Sequence, residues 1–131
     1  MLGNERDREA QQRIENARQQ RARTLDLSGL KLTELPEAIA SLTQLQELNL
    51  SNNQLRKLPE AMASLTQLQL LYLYKNQLRK LPEAMASLTK LQQLYLQNNQ
   101  LTELPEAIAS LTQLQEQKPG FLTKSGVKMP E

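Results

Sequence analysis

The stretch ELNLSNNQLRKLPEAMASLTQLQ, residues 47–69, decides the fold, because near copies of it occupy 24–46, 70–92 and 93–115. Each of these four contiguous 23-residue units carries apolar side chains at the same seven places, here Leu48, Leu50, Leu55, Leu58, Met62, Leu65 and Leu68. One such unit has nothing against which to bury that set, whereas stacked units bury it against one another. The period therefore predicts an α/β solenoid with one continuous, elongated core. At about 1.5–3 kcal/mol per buried side chain, the gross stabilisation is large before the entropy of ordering the chain opposes it.

Within the unit, Leu48-Asn49-Leu50 alternates apolar and polar, the signature of a short strand with one face buried. Leu25/Leu27, Leu71/Leu73 and Leu94/Leu96 repeat the pattern, so stacking gives a parallel sheet on the concave face with neighbours ~4.8 Å apart. Asn53, Asn76 and Asn99 stand where the chain leaves each strand. A carboxamide both donates and accepts, which suits a turn whose backbone groups are cut off from water. The first unit has Leu30 at that place. With no unit before it, an apolar contact to whatever covers that end replaces the amide. Farther along, Pro59 biases Leu58 away from helix and suits a first helical position. Glu60 then falls in the first turn, where the helix dipole favours a negative charge. Met62 and Leu65 share a face, so one or two turns of α or 3₁₀ helix form the convex side.

The unit fits L-x-x-L-x-L-x-x-N-x-L, and over residues 24–115 the chain resembles the leucine-rich repeat family. The resemblance implies an asparagine ladder running from repeat to repeat and a domain that recognises partners. Its LPEAI-type repeat resembles the bacterial and Ras-associated class. The opening QQRIENARQQRARTLDLSGLKLTELPEAI, residues 11–39, is similar to the cap and first repeat of cyanobacterial-type proteins. These include Roco proteins, in which the repeats precede a GTPase module. That similarity implies a cytoplasmic recognition or regulatory arm. The chain departs from the Roco pattern in having no phosphate-binding loop, which counts against a nucleotide-linked role of its own.

Composition narrows the chemistry. With 16 basic and 14 acidic side chains the formal charge is only +2, so a pI near 9 reflects near balance and not a basic protein. Cysteine and histidine are both absent, which removes a disulfide framework, soft-metal ligation and the common nucleophile–base pairs. Glu37, Glu60, Glu83 and Glu106 recur at one place in the repeat, as solvent-facing structural residues do. The expectation is a protein that is not an enzyme and needs no cofactor or metal. No apolar run reaches the ~18 residues of a membrane span, and the charged N-terminus has no signal-peptide core. A cytoplasmic location is expected.

The ends differ from the repeats. Residues 5–23 hold no Gly or Pro and are rich in helix formers, with Ala10, Ile14 and Ala17 on one face. Glu9 and Arg13 are placed for an i, i+4 ion pair. Residues 1–23 thus read as a helix capping the first repeat. Its arginines alternate with acids and lack aromatics, which argues against nucleic acid and against a membrane surface. At the other end Gln117 replaces the next strand leucine. Residues 116–131 read as a partial cap, with a turn at Pro119-Gly120 and Phe121 and Leu122 folding back, or as disordered.

Positions that vary between repeats are free of the fold's demands. The outward residues of the strands form columns: Thr24, Glu47, Leu70 and Gln93; Asp26, Asn49, Tyr72 and Tyr95; Ser28, Ser51, Tyr74 and Gln97; Gly29, Asn52, Lys75 and Asn98. All three tyrosines of the chain fall in this area, beside an apolar residue, Leu70. Tyrosine combines a large apolar body with a polar tip and is favoured at binding hot spots; neighbouring strand tyrosines also stabilise a sheet by packing on one another. Four strands span only ~15 Å, so a peptide-sized contact fits. A second variable pair, Arg56-Lys57 and Arg79-Lys80, forms a basic cluster that Glu60 and Glu83 should partly neutralise. A solvated surface is expected there, with an acidic partner loop as the sharper alternative.

The sequence thus describes a non-catalytic module that binds a protein or peptide on its concave face. The expected contact residues are Asn49, Leu70, Tyr72, Tyr74, Lys75, Gln93, Tyr95 and Gln97. The alternatives are a scaffold that self-associates through the C-terminal solenoid edge, or the regulatory repeat segment of a Roco-type GTPase.

Overall fold

A computed structural model describes residues 5–101 and, in addition, two short strands at 122–123 and 126–127. It begins with helix α1 (Glu5–Gln20), followed by strands β1 (Thr24–Asp26), β2 (Glu47–Asn49), β3 (Leu70–Tyr72) and β4 (Gln93–Tyr95). Between successive strands lie 3₁₀ turns at Glu37–Ser41, Glu60–Ser64 and Glu83–Ser87. The four strands form one parallel sheet in chain order, and its register never slips: Leu25 sits beside Leu48, Leu48 beside Leu71 and Leu71 beside Leu94. A repeat of fixed length requires this, because a slip of one residue would turn every leucine to the other face. All seven apolar positions expected in the second repeat are buried.

The asparagine ladder is present. Asn76 Nδ2 donates to the carbonyls of Leu50 and Leu73, both at 3.0 Å, and its Oδ1 accepts the Leu55 N–H at 3.0 Å. Asn53 and Asn99 repeat the arrangement one unit earlier and one unit later. Each amide therefore ties its own repeat to the one before. Leu30, at the ladder position of the first repeat, packs half-buried against the core while its N–H donates to Asn53 Oδ1.

On the convex side the short segments are 3₁₀, as suits runs of only a few residues. Pro59, at φ −71° and ψ 149°, is extended. The proline thus stands at the cap of the 3₁₀ turn, one place before the first helical position expected from sequence, and Glu60 opens the turn.

Helix α1 packs on β1 and on the first 3₁₀ turn through Ala10, Ile14 and Ala17, all buried. Arg13 pairs with Glu9 at 2.8 Å and also completes the sheet. Within the array the carbonyls of Asn49, Tyr72 and Tyr95 accept N–H groups of the preceding repeat, those of Leu27, Leu50 and Leu73. Asp26 has no preceding repeat, and Arg13 Nη1 donates to its carbonyl at 2.9 Å instead. The helix ends at Arg21, which takes the left-handed conformation (φ 51°) while Ala22 N–H reaches back to Ala17 O at 2.9 Å. This is the closure normally made by glycine.

At the far end, β5 (Leu122–Thr123) and β6 (Gly126–Val127) pair antiparallel, and β5 lies against β4. The second half of the fourth repeat, the Pro119-Gly120 turn and the packing of Phe121 lie outside the described residues.

Two stability measurements check this account. Asn76→Ala should lose about 1–3 kcal/mol by chemical denaturation, because three buried backbone groups lose their partner; an unchanged midpoint would refute the ladder's role. Arg21→Gly should gain about 1 kcal/mol by relieving a left-handed side-chain residue.

Candidate functional site

The strands proper are three residues long, and this shortness sets what the concave face presents. Glu47, Leu70 and Gln93 lie side by side at the strand entrances, and Asn49, Tyr72 and Tyr95 at their exits, all half-buried. The structure brings Leu70, Tyr72, Tyr74, Gln93 and Tyr95 together. Tyr72 and Tyr95 are register partners whose rings stack at 5.1 Å and 12°, and Tyr74 meets Tyr72 edge-on at 6.2 Å and 86°. Tyr95 donates its hydroxyl proton to Gln93 Oε1 at 3.1 Å. The three rings are thus held by one another and form a fixed platform. Such pairs contribute about 0.5–1.5 kcal/mol beyond the area they bury, so sheet packing explains the ring orientations.

Other expected contact residues are committed elsewhere. Asn49 Oδ1 accepts both the N–H and the hydroxyl of Ser51, at 3.0 and 2.6 Å. Asp26 holds Ser28 in the same way, at 2.9 and 2.6 Å. These closures lock the chain as it leaves the strand, and Ser51 is buried, not outward-facing as its column suggested. The signal for the motif was visible as Asp-x-Ser and Asn-x-Ser in the first two repeats, since short polar side chains close local turns of this kind. Hydrogen bonds from Ser28 hold the Asp26 carboxyl below its usual range, with Arg13 adding to the effect. Gln97 is half-buried, and its Oε1 has no hydrogen-bond donor among the described residues.

The last column has a different origin from the one expected. Gly29, Asn52, Lys75 and Asn98 all have positive φ, at 70°, 59°, 60° and 62°. They are left-handed turn residues beyond the strand, where glycine and asparagine are the favoured choices. Only Lys75 breaks that preference.

The basic cluster lies among carboxylates without being paired to them. Glu60 and Glu83 make no direct ion pair with it: the ion pairs among the described residues are Glu9–Arg13 and Glu15–Arg18, both within α1. Lys57 and Lys80 instead line an open groove of about 1050 Å³ beside the 3₁₀ turns, together with Glu34, Glu37, Glu60 and Glu83. Carboxylates outnumber ammonium groups there, so the groove is no trap for an acidic loop. Among the described residues no cluster of carboxylates is arranged to hold a metal, and no helix is long and apolar enough to cross a membrane.

Burial pushes the Tyr72 hydroxyl above its ordinary value near 10, and the Glu47 carboxylate adds to the shift. The folded chain keeps this proton longer than the unfolded chain does. Its contribution to stability is therefore full below about pH 10 and declines as the pH rises through the folded value. Denaturation from about pH 9 to about pH 11 should show stability falling, with a shallower slope in Tyr72→Phe. Identical slopes would show that the tyrosine is not desolvated.

Comparison with known proteins agrees with this architecture. A leucine-rich repeat family model matches residues 8–123, whereas curated protein sequences give no significant match. Among solved structures, a leucine-rich repeat protein of Leptospira interrogans is 36% identical, with a TM-score of 0.62 over 79% of this chain and 33% of its own. An internalin from Listeria monocytogenes is 32% identical, with a TM-score of 0.65 over 75% of this chain and 28% of its own. The leucine-rich repeat domain of the type III effector XopL is also 32% identical, with a TM-score of 0.76 over 84% of this chain and 40% of its own. The chain thus spans well under half the length of each of these. A family model that covers most of the sequence, on a fold that stacks the repeats and ties them by asparagine, leaves one conclusion: the chain belongs to the leucine-rich repeat family.

Proposed function

We propose that the chain is a non-catalytic protein-interaction module that receives a peptide-sized segment of a partner on its concave face. The observation that carries this reading is the aromatic platform of Tyr72, Tyr74 and Tyr95 with Leu70 beside it. The core is already filled by the alternate leucines, so the fold does not require these four large side chains on the outer face of β3 and β4 and just beyond β3. That the rings pack on one another supports binding as well as stability. Rings already fixed in place lose little freedom when a ligand covers them, which favours affinity. The family relationship supports the same class of activity. The surface is small, so affinity from it alone is modest, and several copies or linked domains would raise it by avidity.

The test is a quantitative pull-down from the host's lysate comparing wild type with Tyr72→Ser/Tyr74→Ser/Tyr95→Ser, its fold verified by circular dichroism. The expected result is a partner retained by wild type and lost by the folded variant. Equal retention would remove the concave face from the mechanism. Retention of only further copies of the chain would favour self-association.

A further inference from the structure

We infer that Lys75 is a specificity residue for an acidic side chain of the bound peptide, an inference that rests on the concave-face reading above. Four equivalent positions take the left-handed conformation, and three of them carry the residues that tolerate it, Gly29, Asn52 and Asn98. Lysine there costs stability, since its Cβ crowds the backbone. The fold gains nothing visible in return. The bond made by Lys75 N–H to Gln97 O at 2.9 Å is a backbone bond, which Asn52 makes equally to Tyr74 O at 3.0 Å. The Lys75 side chain is exposed, and its ammonium has no ion pair or hydrogen bond among the described residues. Arg21 and Lys31 are left-handed as well, at φ 51° and 59°, but in the helix closure and the first repeat. Lys75 alone combines that conformation with an ammonium unpaired among the described residues beside the aromatic platform, which points to a use outside the fold.

The surroundings define that use. Lys75 directly follows Tyr74, at the margin of the aromatic platform. The acids of the concave face, Asp26 and Glu47, stand at the exit of β1 and the entrance of β2, and the Glu47 carboxylate acts on the Tyr72 hydroxyl. Neither makes an ion pair or a hydrogen bond with the Lys75 ammonium among the described residues. An occupant that seats an aromatic or aliphatic side chain on Tyr72 and Tyr74 brings its neighbouring residue to Lys75. An ammonium offers donors and no acceptor, so Asp or Glu is the complement at that place. The occupant is therefore a peptide segment in which an acidic residue adjoins a large apolar one.

The experiment is selection from a random peptide library displayed with its C-termini fused to the coat protein, so that only side-chain carboxylates are offered. The full chain serves as bait, in parallel with Lys75→Asn, Lys75→Arg and the triple tyrosine variant. Wild type should enrich peptides pairing Asp or Glu with an aromatic or aliphatic residue. Those peptides, made synthetically, should bind Lys75→Asn weaker by on the order of fivefold and keep their affinity for Lys75→Arg. Lys75→Asn should also melt above wild type. Enriched peptides without carboxylates, equal affinity for Lys75→Asn, or an unraised melting temperature would each overturn the inference while leaving the concave-face reading intact. Enrichment by wild type no greater than by the tyrosine variant would overturn both.

Discussion

Everything in this solenoid depends on one side-chain amide in each repeat after the first. Where the chain turns away from the sheet, its backbone groups point into the core, with neither water nor a strand to meet them. Asn53, Asn76 and Asn99 satisfy them from inside, each joining carbonyls of two successive repeats. A group left unmatched in that setting would cost more than one hydrogen bond normally contributes. The leucines supply most of the burial, but they would tolerate small shifts. The amide, with donors and acceptor fixed in one plane, tolerates little. It holds successive strands in register, and the register in turn places Tyr72 over Tyr95 and Leu70 beside Gln93.

A concave face built in this way is rigid and modular, and its chemistry is decided by residues that do not matter to the core. The outer positions of the first two repeats are small or charged, and two of them, Asp26 and Asn49, are spent on closing their own turns. The third and fourth repeats carry the aromatic platform. One end of the sheet therefore spends outer side chains on holding its own turns, while the other carries the rings on which the proposed contact rests, although the strands share one register.

Much of this was legible in the sequence for a physical reason. Burial repeats with the chain, so Leu48, Leu50 and their equivalents declare themselves by period alone, and Ala10, Ile14 and Ala17 do so by helical spacing. The ladder asparagines were legible because a polar residue at a fixed place between apolar ones needs an internal partner. What escaped was set by geometry that composition does not encode. A lysine carries no mark of a left-handed backbone, so Lys75 read as one more strand residue until its φ was seen beside those of Gly29, Asn52 and Asn98. Proximity in sequence suggested that Glu60 would lie near Lys57, and the two do line one groove, but without forming an ion pair. Pro59 was placed one residue too far into its turn because an extended cap and a first helical residue suit proline almost equally. Arg13 was legible as a partner of Glu9, not as a donor to the carbonyl of Asp26, since that bond joins elements 13 residues apart.

That last bond has a further meaning. Among the described residues the strand junctions from β1 onward share the same register and the same asparagine bonds, so a further 23-residue unit placed among them would meet much the same surfaces on each side. The junction between α1 and β1 is different. Arg13 gives Asp26 the one proton donor that an earlier strand would have given, and gives it from a side chain that no later repeat possesses. Length is therefore free to vary downstream of the helix, while the point at which counting starts is fixed. This guanidinium acts as an origin, from which the sheet can lengthen in one direction only.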